Sequence, residues 1–312
     1  MTKTQTMFTT ASLMAWTFTA ALAEDPGKLT VWGENAPDWT VDVAGWKAVA
    51  ANEHPRLIYR KSDLARLKQR AATPEGKVIL ARMKTLLDGK FTLWHPAAYG
   101  LLYQLTGEAD YAGKAKKACE DIIDAKARDK DDRYGFENPG SGGPMRAGPA
   151  IGAIGLAYDM NYDGWTPEFR KKVATAIQNN PFTSSIAARG PIGPGCNHYG
   201  AAVGGVGVGL LAIRGDADAD PVKVNALFAR IVKQARDEIA LGYGDRGYYF
   251  EGHQCGRISS NSGLIPFVQA YRTAAGKDLV SKKDNARWFR CRRLSAIPRL
   301  QGPQTPRQSR SG

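Results

Sequence analysis

After Pro221 the apolar side chains recur at steps of three and four. Val224, Leu227, Phe228, Ile231, Val232, Ala235 and Ile239 share one face, while Lys223, Arg230, Lys233, Arg236 and Asp237 cover the other. That period predicts a helix with one side on a core. Shorter runs of the same kind span 62–72, 75–87, 95–105, 110–125, 146–158, 167–178, 198–213 and 258–274. Three starts are marked by an N-cap oxygen ahead of proline at the first helical position: Thr73-Pro74, Thr166-Pro167 and Asp220-Pro221. The pattern predicts about nine helices joined by short turns such as TGEAD and RGDADAD, and no strand-type alternation is sustained. The fold class is all-α, built from helical hairpins.

One of these helices has an unusual composition. In NHYGAAVGGVGVGLLAI, Ala201, Ala202, Gly204, Gly205 and Gly207 leave its faces bare. Each interior glycine costs about 1 kcal/mol relative to alanine, so tertiary contacts on several sides must hold the helix. The inner ring of a closed helical toroid supplies such contacts. A dinucleotide reading fails, because Leu210 breaks G-x-G-x-x-G and no strand precedes the glycines.

Composition narrows the picture. The 312 residues are 43% hydrophobic and 23% charged, which excludes wholesale disorder. The first 23 residues run from MTKTQ through an apolar stretch to Ala-Leu-Ala, the pattern of a secretory signal cut after Ala23. No other stretch is apolar enough to span a bilayer, so an exported protein, periplasmic or extracellular, is expected. Residues 24–53 carry Trp32, Trp39 and Trp46 among polar neighbours and read as an extended lead segment laid on the body. Residues 54–279 form the helical domain, and 280–312 a basic, disordered tail. The net charge is +13, but residues 281–312 hold nine Lys or Arg and one Asp. The body is only mildly basic, which argues against a nucleic-acid partner and suits an acidic polysaccharide.

Polar chemistry concentrates at two places. Asn197 and His198 open the glycine-rich helix, with Tyr199 beside them. GDRGYYFEGHQCGR, residues 244–257, holds Asp245, Arg246, Tyr248, Tyr249, Glu251, His253 and Arg257. If both places share one rim, the set fits β-elimination on a uronic acid. An amide or guanidinium neutralises the sugar carboxylate and the enolate that develops from it. An imidazole or phenol takes the C5 proton, and another protonates the departing O4. Asn197 is then the neutraliser, His198 or His253 a base, and Tyr248 or Tyr249 the acid or base. Tyr199, Tyr248, Arg246, Glu251 and Arg257 are candidate substrate-binding residues.

Other readings stand beside this one. Asn197 is also a good N-cap, and one of Tyr248 and Tyr249 packs inward as plain core. His54 and His95, each followed by proline, read as structural. Glu251 with Asp245 makes the carboxylate pair of a glycoside hydrolase. Cys196-x-His198 and His253-x-Cys255 offer a Cys2His2 zinc set, though tighter than the usual ligand spacing, and no metal or other cofactor is expected. The four cysteines allow three pairings, a Cys196–Cys255 disulfide among them, while Cys119 lies on an apolar stripe and reads as a buried thiol. The loop 129–148 is rich in Gly, Pro and charge, and reads equally as a cleft lining or as ordinary surface.

Four stretches follow one another in a suggestive order: HPRLIYRKSDLARLKQRA, AYDMNYDGWTPEFRKKVATAI, NHYGAAVGGVGVGLLAI and DRGYYFEGHQCGRISSNSGLIPFVQAYRTAAGKDL. That order resembles the helical domain of the heparinase II/III-like and alginate-lyase superfamily. The resemblance implies an (α/α) toroid, usually followed by a β-sandwich, and lyase activity on acidic polysaccharides without a required cofactor. It places the family's Asn-His motif on Asn197 and His198. The family's tyrosine would fall near Cys255, which leaves Tyr248, Tyr249 and His253 as candidates for that role. The β-sandwich has no counterpart in the basic segment after residue 280, so the expectation is an incomplete toroid, with an inactive or glycan-binding relative as the alternative.

Overall fold

The computed structural model describes residues 39–128, 135–136, 144–189, 193–243 and 249–280. The expected signal segment, Trp32, most of the loop 129–148, Asp245, Arg246, Tyr248 and the basic tail lie outside the described residues, as does the side chain of His253.

The described residues are mostly helical, as the spacing predicts. The helices are α1 (Leu64–Ala71), α2 (Pro74–Leu87), α3 (His95–Thr106), α4 (Ala109–Ile123), α5 (Pro144–Asn161), α6 (Pro167–Asn179), α7 (Pro181–Arg189), α8 (Asn197–Ile213), α9 (Pro221–Leu241), α10 (His253–Ser259) and α11 (Ile265–Ala275). A π turn, Ser260–Leu264, carries α10 into α11. All three expected caps are made: Thr73 accepts from Gly76 N at 3.1 Å, Thr166 from Phe169 N at 3.4 Å, and Asp220 from Val222 N at 2.9 Å.

Three features depart from the pattern. Helix α7 is not among the helices the spacing predicts, and its Thr183, Ser184 and Ser185 favour turns over helix interiors. Here Asn180 Oδ1 accepts from Phe182 N at 2.9 Å to start it, and burial of Ile186 and Ala187 holds it down. The last helix begins at His253 rather than Ile258 and is broken by the π turn. A two-residue antiparallel pair, β1 (Val41–Asp42) with β2 (Lys277–Asp278), also escapes the spacing. It joins the end of the lead segment to the end of the described chain. Trp39 Nε1 donates to Leu279 O and Trp46 Nε1 to Thr273 O, both at 2.8 Å, which ties residues 39–46 to residues 273–279.

Helix α8 is the centre of the packing. Every residue from Tyr199 to Ile213 is buried. On one side a Cβ on Gly152 would stand 3.0 Å from Gly205 Cα, and one on Gly155 only 2.7 Å from Gly209 Cα. Both partners ascend together, so α5 and α8 run parallel. On another side Gly200 faces Ser259, Gly204 faces Gly263 and Gly207 faces Phe267, so α10 and α11 also run parallel to α8. Against α9 the order reverses, with Gly200 near Glu238 and Gly207 near Ile231. The bare faces of α8 are therefore filled by neighbouring backbone.

The far end of this layer is tied by a buried ion cluster. His54 Nδ1 lies 2.8 Å from Asp159 Oδ1, and its Nε2 lies 3.2 Å from Asp216 Oδ2. Arg56 pairs with Asp216 at 3.0 Å and donates to Ala212 O at 2.7 Å. Tyr158 OH donates to Asp216 at 3.0 Å. Burial pulls the His54 imidazole down, but its bonds to Asp159 and Asp216 outweigh that and hold it above its ordinary value. The cluster fastens the segment around His54 to α5 and to the turn after α8, which is the structural part the sequence suggests for this histidine.

Candidate functional site

Asn197 is the first residue of α8, and Glu251 lies in the short segment that leads into α10. The two are 54 positions apart, yet Glu251 Oε2 accepts from Asn197 Nδ2 at 2.6 Å and from Asn197 N–H at 2.7 Å. The two polar stretches singled out in the sequence therefore meet at one corner. The geometry corrects the capping reading of Asn197. Cys196 occupies the N-cap position, and the Asn197 side chain is spent on Glu251. An amide nitrogen carries two N–H bonds, so one donor remains after Glu251 has taken its share.

His198 follows, partly exposed. Burial, and then the positive charge of Arg146, hold its imidazole below the ordinary value, against a smaller opposing effect from Glu251. It is thus a neutral ring at neutral pH, the state a proton acceptor requires. Arg146 comes from the first turn of α5. Parallel packing of α5, α8 and α10 brings their N-terminal ends to the same side, which is how residues from three distant stretches reach one corner. Phe250 adds an aromatic ring that is 79% exposed and lies 3.2 Å from where a Gly195 Cβ would be. Arg257, on α10, is exposed.

Two expected site residues are placed otherwise. Tyr249 is 1% exposed, its ring packed edge-on against Tyr243 at 5.1 Å and backed by Gly256. Its hydroxyl is sealed from solvent, and burial pushes the phenol far above its usual value. A group so enclosed does not reach a polymer outside, which corrects the catalytic role expected of it. Tyr199 is 3% exposed and faces the core, and burial again pushes its hydroxyl up. The same correction applies to its expected contact with substrate. Tyr199 opens the stretch of α8 that is buried on all sides, and Tyr249 is held inward by an isolated antiparallel bridge to Tyr243.

Beneath the corner lies a carboxyl that the sequence does not single out. Glu238 of α9 is 0% exposed, and Ser259 Oγ donates to its Oε1. Its Oε2 has no hydrogen-bond partner, and burial pushes the acid up to about 8. Gly200 has no side chain because this pair occupies the space a Cβ would need. Glu238, Arg146 and Phe250 are the residues that sequence reasoning missed. Phe250 left a signal as an aromatic within a polar stretch, and Glu238 as a carboxyl in step with Ile231 and Ala235 on the apolar face of its helix.

Among the described residues no group of three or more His, Cys, Asp or Glu is placed to hold a metal ion, and the His253 ring of the zinc reading lies outside them. Asp245, needed for the hydrolase pair, also lies outside. No described helix is long and apolar enough to cross a membrane. No family model matches the chain, and no curated protein matches it.

Proposed function

We propose that the protein is an exported lyase-like enzyme that cleaves a uronic-acid-containing polysaccharide by β-elimination. The observation that carries this reading is the Asn197–Glu251 contact, which gathers an amide, a neutral imidazole, a guanidinium and an exposed aromatic ring at one corner. The parallel run of α5, α8 and α10–α11, with α9 reversed against α8, supports an (α/α) toroid with those parallel helices as its inner ring. The resemblance of the four sequence stretches to the heparinase II/III-like and alginate-lyase superfamily points the same way.

In this reading Glu251 orients the Asn197 amide, whose free N–H bonds the sugar carboxylate. Arg146 adds positive charge, which stabilises the enolate as it forms. His198 takes the C5 proton. The electrons of that bond form the C4–C5 double bond, the C4–O4 bond breaks, and the imidazolium returns the proton to O4. Phe250 offers its face to an adjoining sugar ring. Product masses test the reaction class on alginate-type and heparan-type substrates. Elimination yields oligomers about 18 Da lighter than hydrolysis would, one water fewer. Products of the heavier mass would support the carboxylate-pair hydrolase, and an unchanged polymer that is nonetheless retained by the protein would support a glycan-binding module.

A further inference from the structure

Cys196 and Cys255 are free, partly exposed thiols on the two stretches that form the corner. Their placement follows from the register of two helices. Gly200 of α8 faces Ser259, and Gly204 faces Gly263, with no room for a Cβ at either glycine. One turn earlier on both helices the same register sets Cys196 opposite Cys255. Backbone meets backbone where Gly263 lies against Gly200, Ala201 and Gly204, so the two helices run close together as they approach the cysteines. Local contacts agree. Asn197 bonds Glu251 at 2.7 Å, and Gly195 packs on the Phe250 ring. The residues on either side of Cys196 are thus held against the segment four and five positions before Cys255. Cys255 also acts electrostatically on Cys196: a thiolate there would disfavour a second one.

We propose that Cys196 and Cys255 form a redox-sensitive dithiol that closes to a disulfide across the corner on meeting a small-molecule disulfide. The step is ordinary exchange. One protein thiolate attacks a sulfur of the reagent and releases its first thiol. The second protein cysteine attacks the mixed disulfide, forms the Cys196–Cys255 bond and releases the second thiol. Two protein thiols are oxidised, one reagent disulfide is reduced, and the two protons pass from the protein thiols to the thiols released. Burial, ahead of the nearby negative groups, raises the Cys196 thiol, so closure accelerates as pH rises above neutral. Cys119 does not compete, since it is fully enclosed and its thiol is pushed far up.

The test uses the full chain and oxidised glutathione. Folded protein is oxidised at mildly alkaline pH, blocked with iodoacetamide, digested and mapped by mass spectrometry. The expected result is one linked peptide pair joining Cys196 to Cys255, about 2 Da lighter than the two reduced peptides together. Cys196→Ser and Cys255→Ser each abolish it and leave the remaining cysteine glutathionylated. Oxidation in strong denaturant should lose the preference for this pair. Recovery of both cysteines singly alkylated, glutathionylation of both without a link, or a predominant link from either one to Cys291 or Cys119 would overturn the proposal. So would an equal yield of the pair from unfolded chain. None of these outcomes bears on whether the corner cleaves a polysaccharide.

Discussion

The contributions of single residues at the corner can be separated by what each is asked to do. His198 is the proposed proton acceptor, so His198→Ala should lower turnover by about 10²–10⁴-fold with the far-ultraviolet circular dichroism unchanged. A histidine needed only for folding would instead lose helicity or thermal stability. Burial, and then the Arg146 charge, lower the His198 imidazole, so in the proposed reaction the acid limb of the pH–rate profile should lie below the ordinary histidine value. Replacing Arg146 by Gln removes a positive charge, so the limb should move to higher pH. A limb that stays in place would remove Arg146 from the site. Phe250, exposed and outside the proton path, should act on binding alone. Phe250→Ala is expected to raise KM by about 2–10-fold, the worth of a stacked ring, and to leave kcat nearly unchanged.

Among helices, the decisive feature is how closely α8 meets its neighbours. A Cβ on Gly204 would overlap the Gly263 carbonyl, which is backbone and cannot swing away. Gly204→Ala should therefore destabilise the fold by about 1–3 kcal/mol, although alanine is the better helix former. Gly113 in α4 is the control, because nothing lies within 4 Å of its Cβ position. Gly113→Ala should stabilise by about 0.5–1 kcal/mol. Denaturant midpoints of the two variants check the contrast, and equal effects would refute the account of the inner helix.

The same contrast marks what the sequence made legible. Helix class, the caps at Thr73, Thr166 and Asp220, and the buried small-residue helix follow from periodicity and cap chemistry, which are local. The meeting of Asn197 with Glu251 was expected only as a condition, because convergence depends on parallel packing that no local pattern encodes. That one of Tyr248 and Tyr249 packs inward was legible, though not which one, while the inward turn of Tyr199 was not, since it follows two polar residues and suits either side. Helix α7 was missed because its Ser and Thr residues oppose helix formation until tertiary burial overrides them. Glu238 follows Ile231 and Ala235 at steps of four and three, so the period puts this carboxyl on the buried face; a reading by residue type, which counts glutamate as surface, passes over it.

For the molecule as a whole, buried ionisable groups set the pH dependence of stability. Glu238 has its folded value raised to about 8 from 4.5. Between those values the unfolded chain releases a proton that the folded chain keeps, so stability falls as pH rises, by up to about 1.4 kcal/mol per unit. His54 is also raised, from 6.5, and its contribution is full below that value and lost as pH climbs through the folded one. Asp216 works in the opposite direction. Burial raises it, but the bonds from His54 and the Arg56 charge lower it overall, and its contribution is lost as pH falls below 3.8. Stability should therefore peak on the acidic side of neutrality and decline toward pH 8. Glu238→Gln should flatten most of that decline and leave the part due to His54. A decline equally steep in the variant would show that Glu238 is not the group responsible.

The corner itself is tested most directly by the growth of absorbance at the edge of the ultraviolet, where the conjugated C4–C5 double bond absorbs, during incubation of the purified chain with a uronate polysaccharide. The account predicts a steady rise with the wild-type chain and almost none with folded His198→Ala. New reducing ends without that absorbance, or an unchanged rise in the variant, would contradict it.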